Sequence, residues 1–172
     1  MTNRMTRLAL LVVGSAMTVT PAARAAVQPV KKGALITIAA HLDLKAAPAK
    51  VWAAAASAEG FYALTGFKPD AADKARSFTK LGDSIGASIW GDTGRLVVTG
   101  LIGGKELRVT WEPANASYLC AKRIVITAAG TGTSFDYWDR YTDDQPNADE
   151  TAKKVHGESA KALEAFRALA EK

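Results

Sequence analysis

Six short runs rich in β-branched and aromatic residues constrain this chain more than any other feature. They lie at about 77–81, 84–90, 94–102, 105–112, 119–129 and 133–142. The breaks between them are brief: Gly82-Asp83, Gly91-Asp92-Thr93, Gly103-Gly104, Pro113 to Ser117, and Gly130-Thr131-Gly132. Connections this short leave no room for a crossover helix, so successive strands are expected to pair antiparallel as a meander.

Two of the breaks specify a register. A two-residue turn at Gly103-Gly104 favours the primed hairpin geometry. It would set Leu96 against Trp111, Val98 against Val109 and Gly100 against Leu107 on one face. The other face would carry Arg95/Glu112, Val97/Thr110 and Thr99/Arg108, so the apolar pairs and the opposite charges sort to opposite sides. The next hairpin, if its loop holds two or four residues and not three, pairs Ile126/Phe135, Ile124/Tyr137, Lys122/Asp139 and Cys120/Tyr141 on one face. Thr127/Ser134, Val125/Asp136 and Arg123/Trp138 fall on the other.

The flanks of this meander have different periods. In 35–44, Ile36, Ile38, Ala40, Leu42 and Leu44 alternate with Thr37, Ala39, His41 and Asp43, the pattern of a half-buried strand. Pro48 opens a short helix to Ala56, where its missing N–H costs nothing. A second short helix runs from Ser57 to Leu64 and is stopped by Gly66; 67–76 reads as loop. At the C-terminal end, about Asp149 to Glu171, Ala152, Ser159, Leu163, Phe166 and Ala170 form one stripe, flanked by Val155 and Ala162 and, on the other side, His156. The lysines lie mostly outside the stripe, as on an amphipathic helix packed against a sheet. Asn147 as N-cap with Glu150 three residues on would make a capping box behind Pro146. Strands in one run and helices segregated to the ends define an α+β domain.

The N-terminus reads as a cleavable leader. Arg4 and Arg7 precede an apolar run, Leu8 to Thr20, and Ala23-Arg24-Ala25 offers small residues for a signal peptidase. The run is too short to span a bilayer. Cleavage is expected after Ala25, which makes 1–25 a signal peptide, 26–33 a flexible leader and 34–172 one domain that is periplasmic or secreted. Loss of Arg4, Arg7 and Arg24 takes the formal charge from +5 to +2. With no basic cluster interleaved with aromatics, nucleic acid is not an expected partner, and no stable membrane insertion is expected after leader removal. The single cysteine, Cys120, excludes an internal disulfide and a cysteine-rich zinc site. His41 and His156 are the only histidines, so neither a metal nor another cofactor is expected.

The order of elements (strand, two short helices, strands, long helix) resembles the helix-grip fold of the START-like (SRPBCC) superfamily. The wording Leu42-Asp43-Leu44-Lys45-Ala46-Ala47-Pro48-Ala49-Lys50-Val51-Trp52 is similar to that superfamily's opening phrase. Gly94 to Val98 followed by Glu106 to Trp111 is similar to the central hairpin of relatives of the heat-shock-ATPase activator. The resemblance implies a curved antiparallel sheet of about seven strands around the long C-terminal helix, with a hydrophobic cavity between them. The small residues Ala152, Gly157 and Ser159 should leave room under the N-terminal half of that helix, while Leu163, Phe166 and Leu169 fill the rest.

The candidate ligand-binding residues are Trp111, Lys122, Tyr137, Asp139, Tyr141, His156 and Ser159, of which all but Trp111 should converge at one end of that cavity. They would orient the polar end of a lipid or other hydrophobic small molecule. Alternatively Lys122 and Asp139 form a rim ion pair and the tyrosines are core. Two other function classes use the same fold. One is a polyketide cyclase-like or hydrolase-like enzyme, with His156 as general base and Tyr137 as oxyanion donor. The other is a co-chaperone-like interaction module, which the leader argues against.

Overall fold

The computed structural model describes residues 28–32, 35–116, 118, 120–143 and 147–172. The leader reading of 1–25 and the placement of Pro146 and Ser117 lie outside the described residues. Alternation at 35–44 produces strand β2 (Leu35–Leu44), which buries Ile36, Ile38, Ala40, Leu42 and Leu44 and turns the intervening side chains outward. The expected flexible segment 26–33 instead contains a strand, β1 (Gln28–Lys32), paired antiparallel with β2.

Helices α1 (Pro48–Ala56) and α2 (Ala58–Thr65) follow with a single residue between them. That residue does two jobs: the Ser57 hydroxyl donates to the Ala54 carbonyl at 2.9 Å and accepts from the Gly60 N–H at 3.0 Å. So tight a corner admits only glycine at position 60, where a Cβ would lie 2.0 Å from the Ala54 carbonyl oxygen. Gly66, at φ +78°, ends α2 in the left-handed conformation that favours glycine.

Past this point one expectation fails. Residues 77–81 do not form a strand. The Asp83 carboxylate collects the Thr79 N–H at 2.7 Å, the Thr79 hydroxyl at 2.8 Å and the Lys80 N–H at 3.0 Å, and this folds the backbone into a loop. Phe78 is nonetheless buried, edge-on to Phe61 at 5.3 Å. The sheet position left open is taken by the two-residue β3 (Lys68–Pro69), within the stretch expected to be loop, and a 3₁₀ turn (Ala71–Asp73) follows it.

The remaining strands are β4 (Ser84–Ile89), β5 (Asp92–Ile102), β6 (Glu106–Pro113), β7 (Cys120–Ala129) and β8 (Gly132–Thr142). Together they make one eight-stranded antiparallel sheet of order β1-β2-β8-β7-β6-β5-β4-β3. The β7–β8 register is the expected one throughout, from Cys120↔Tyr141 to Ala129↔Gly132. The β5–β6 register is as expected from Arg95↔Glu112 to Val98↔Val109 and then slips by one residue at a bulge. Gly100 consequently faces Arg108, and Leu101 faces Leu107, in place of Thr99/Arg108 and Gly100/Leu107. The turn holds three residues: Lys105 N–H donates to the Ile102 carbonyl at 2.9 Å, and Gly104 sits at φ +71°. The bulge at Thr99 absorbs the extra residue and sets Leu101, not glycine, opposite the buried Leu107.

Helix α3 (Ala148–Ala170) closes the concave side of the curled sheet. Asn147 is its N-cap but makes no side-chain cap bond; the first bonds run from the Glu150 and Thr151 N–H groups to the Asn147 carbonyl, so the capping box does not form. The stripe buries Val155, Leu163, Phe166 and Ala170, with Phe166 against Phe135 at 4.8 Å. Each such large apolar side chain contributes roughly 1.5–3 kcal/mol by leaving water. Bulk is thus concentrated in the C-terminal half of α3, and the N-terminal half is left with smaller contacts.

Candidate functional site

A pocket of about 340 Å³ lies where that smaller half of α3 faces the sheet. Six parts of the chain wall it, the connection before β7 with Tyr118 among them. The end of α2 and the residues after it bring Leu64, Gly66 and Phe67, and the β4–β5 turn brings Ile89 and Trp90. Strand β7 supplies Cys120 and Lys122, β8 supplies Asp139 and Tyr141, and α3 supplies Val155, Glu158, Ser159 and Ala162. Tyr62 and Trp90, 44% and 57% exposed, carry the wall out to the surface. Trp90 holds φ +50°, unusual for so bulky a residue, and Lys154 of α3 sits over its ring at 5.1 Å.

The floor of the pocket is polar and buried. Lys122 Nζ lies 2.6 Å from Asp139 Oδ1, with side chains 3% and 10% exposed. Their pairing follows from the β7–β8 register; their burial follows from the curl of the sheet beneath α3. The rim placement of this ion pair is therefore incorrect. Lys122 also donates to Cys120 Sγ at 3.0 Å and lies 4.9 Å from the centre of the Phe67 ring. Cys120 Sγ–H donates to Asp139 Oδ1 at 3.4 Å, and the Tyr137 hydroxyl donates to Asp139 Oδ2 at 3.4 Å. Two charges, a thiol and a phenol thus satisfy one another inside an apolar shell.

The electrostatics fix the protonation of this cluster. Burial alone would lower the Lys122 ammonium, but the adjacent Asp139 carboxylate outweighs it and holds the group well above its ordinary 10.5. Burial, aided by the Asp139 charge, pushes the Cys120 thiol up to about 12 and the Tyr137 phenol well above 10.0. Cys120 is therefore a thiol rather than a nucleophilic thiolate at neutral pH. Tyr141 is also raised, by burial first and the Asp139 charge second. Its hydroxyl is buried and, unlike that of Tyr137, has no hydrogen-bond partner among the described residues.

Of the seven expected site residues, Lys122, Asp139, Tyr141 and Ser159 line the pocket. Tyr137 lies one layer deeper, bonded to Asp139. Trp111 does not line it: the ring is buried behind Phe67, 4.7 Å away, and its Nε1–H donates to the Tyr118 hydroxyl at 3.0 Å. His156 is not among the lining residues either. Phe67, Trp90, Tyr118 and Cys120 line it without having been expected to. Cys120 could have been found, since the hairpin register puts it on the same face as Lys122 and Asp139. Trp90 carried a weaker signal, a large aromatic placed directly before the turn glycine Gly91. Among the described residues there is no cluster of three or more His, Cys, Asp or Glu suited to a metal, and no helix long and apolar enough to cross a membrane.

A second hollow, about 410 Å³, lies on the outer face of the sheet among Arg108, Arg123, Trp138 and Arg140. Glu106 takes up two of its arginines, Arg108 at 2.5 Å and Arg123 at 2.9 Å, and Arg123 stacks over Trp138 at 5.1 Å. Its polar groups are surface groups, in contrast to the sequestered floor of the first pocket.

No known family model and no curated protein matches the chain. Solved structures do. Protein MLL2253 from Mesorhizobium loti is similar over 77% of this chain and 95% of its own, at 17% identity and a TM-score of 0.60. Protein CV1439 from Chromobacterium violaceum is similar over 79% and 97%, at 16% identity and a TM-score of 0.59. DynU16, a protein in the dynemicin biosynthetic locus, matches over 77% of this chain and 46% of its own, at 13% identity and a TM-score of 0.58. With its curled antiparallel sheet, paired short helices after the first long strand and C-terminal helix laid across the concave side, this chain shares the helix-grip fold with these structures.

Proposed function

We propose that this chain is an exported binding protein for a small, largely apolar molecule, held without a cofactor between α3 and the ends of β7 and β8. The observation that carries the reading is the pocket of about 340 Å³, apolar around a buried and charge-balanced Lys122–Asp139 floor. Its size falls within the roughly 300–1,000 Å³ of small-molecule sites, which pair apolar walls with a few fixed polar groups. The cluster favours holding over reacting: the thiol and both phenols keep their protons and the lysine keeps its charge near neutral pH. Export is the reading of the leader that ends at Ala25.

Mass spectrometry of small molecules extracted from natively purified protein tests the binding. One discrete apolar compound is expected, lost when Ser159→Trp fills the pocket in a protein that stays folded. An extract indistinguishable from that of the filled variant refutes it. Export is tested separately by sequencing the N-terminus of protein recovered outside the cytosol: a chain starting at Ala26 supports it, and retention in the cytosol with the leader intact overturns it.

A further inference from the structure

We infer that the ligand presents an uncharged oxygen acceptor (a ketone, ester or similar carbonyl) to the Tyr141 hydroxyl, not a carboxylate or phosphate to Lys122. The inference rests on the small-molecule reading of the pocket and narrows it to one ligand class.

Two observations carry it. First, the charge that would attract an anion is already spent. Lys122 lies 2.6 Å from Asp139, and the two other charged lining residues, Lys68 and Glu158, again oppose one another in sign. A carboxylate brought against this floor would leave one buried negative charge in excess beside Asp139, which low-dielectric surroundings penalise. Second, one strong donor is left over. Tyr141 lines the pocket, and its hydroxyl is buried with no partner among the described residues. A phenol held well above its ordinary 10.0 remains an O–H donor at any physiological pH. Buried polar groups are nearly always satisfied, and the space the ring adjoins is where its acceptor can come from. A carbonyl oxygen accepts that bond without adding charge, and the rest of the molecule lies against Phe67, Ile89 and Val155.

The test uses three probes of nearly equal shape: 2-acetylnaphthalene, 2-ethylnaphthalene and 2-naphthoate, measured by equilibrium dialysis against the purified protein. The ketone is expected to bind about five- to tenfold tighter than the hydrocarbon, the ratio one net hydrogen bond supplies, and the carboxylate is expected to bind weakest. In Tyr141→Phe, the ketone should fall to the level of the hydrocarbon while the hydrocarbon stays put. Equal binding of all three by the native protein, or tightest binding of the carboxylate, overturns the inference and leaves the pocket reading intact. A Tyr141→Phe protein that keeps the ketone preference overturns it too. Failure of every probe to bind overturns the pocket reading, and the inference falls with it. The ranking in the native protein is decisive even if the variant does not fold.

Discussion

Removing one member of the Lys122–Asp139 pair should damage the fold far more than removing both. The side chains are 3% and 10% exposed and their charged atoms are 2.6 Å apart, so neither charge can turn to water when its partner is lost. Lys122→Met strands the Asp139 carboxylate beside Cys120 and Tyr137; Asp139→Asn strands the ammonium under Phe67. Each single change is expected to cost about 3–5 kcal/mol, the usual penalty for an uncompensated buried charge. In urea that is a midpoint shift on the order of 2 M, and in a thermal melt roughly 10–20 °C. The double variant Lys122→Met/Asp139→Asn leaves no charge behind and should lose only about 1–3 kcal/mol. The coupling energy from the four proteins should therefore be large and of the sign that the singles overcount the loss. Urea unfolding followed by tryptophan fluorescence reads it directly. Single variants costing under about 1 kcal/mol, or simple additivity, would mean the pair is solvated like a surface bridge, and the reasoning about the pocket floor would be wrong.

Three further outcomes follow from groups described above. Cys120, Tyr137, Tyr141 and Lys122 all hold protons in the fold that the unfolded chain gives up earlier, so stability is present below their ordinary values of 9.0, 10.0 and 10.5 and is lost as pH rises towards the raised ones. Urea midpoints should be flat to about pH 8.5 and fall beyond pH 9, with Cys120→Ala removing about 1.4 kcal/mol of the decline by pH 10; an identical slope in that variant contradicts the assignment. His41 has its pKa raised above 6.5, first by its 2.7 Å bond to Asp136, so its contribution is present below pH 6.5 and fades as pH climbs through the raised value. Proton NMR of the imidazole should show Asp136→Asn bringing the titration back towards 6.5, and an unchanged midpoint would exclude that bond as the cause. In the β5–β6 turn, Gly104→Ala should destabilise by about 1 kcal/mol because it forces a side chain to φ +71°, whereas Gly103→Ala, with open space and no positive φ, should be nearly silent in the same urea assay.

Legibility in the sequence followed how locally each feature is determined. The β7–β8 register is the one expected because, of the loop lengths that Gly130-Thr131-Gly132 permits, the structure takes the two-residue turn, which keeps the alternating runs of both strands in phase. The β5–β6 hairpin could be read only at its far end: two adjacent glycines permit loops of two or three residues, and the bulge that reconciles them at Thr99 has no sequence mark of its own. Residues 77–81 misled because their residue types suit a strand, while the competing force, three donors gathered by Asp83, comes from beyond the run. The same division holds for the site. That Lys122 faces Asp139 is a matter of register; that the pair is buried depends on how far the whole sheet curls, which no single strand records. The pocket walls contributed by Phe67, Trp90 and Tyr118 sit outside the periodic elements, where pattern is silent. Trp111 was assigned to the pocket from its face alone, and Phe67 occupies the space in front of it.

The shape of the sheet's two borders has a consequence for how copies of this protein meet. An open sheet of eight strands has two edges, and each is a template on which another chain's strand can add. Here both border strands carry an imino acid, Pro29 in β1 and Pro69 in β3, and the latter strand is only two residues long. Neither border can offer an unbroken row of amide donors to a newcomer. A proline in each border strand thus disfavours the addition of a further strand at either end of the sheet.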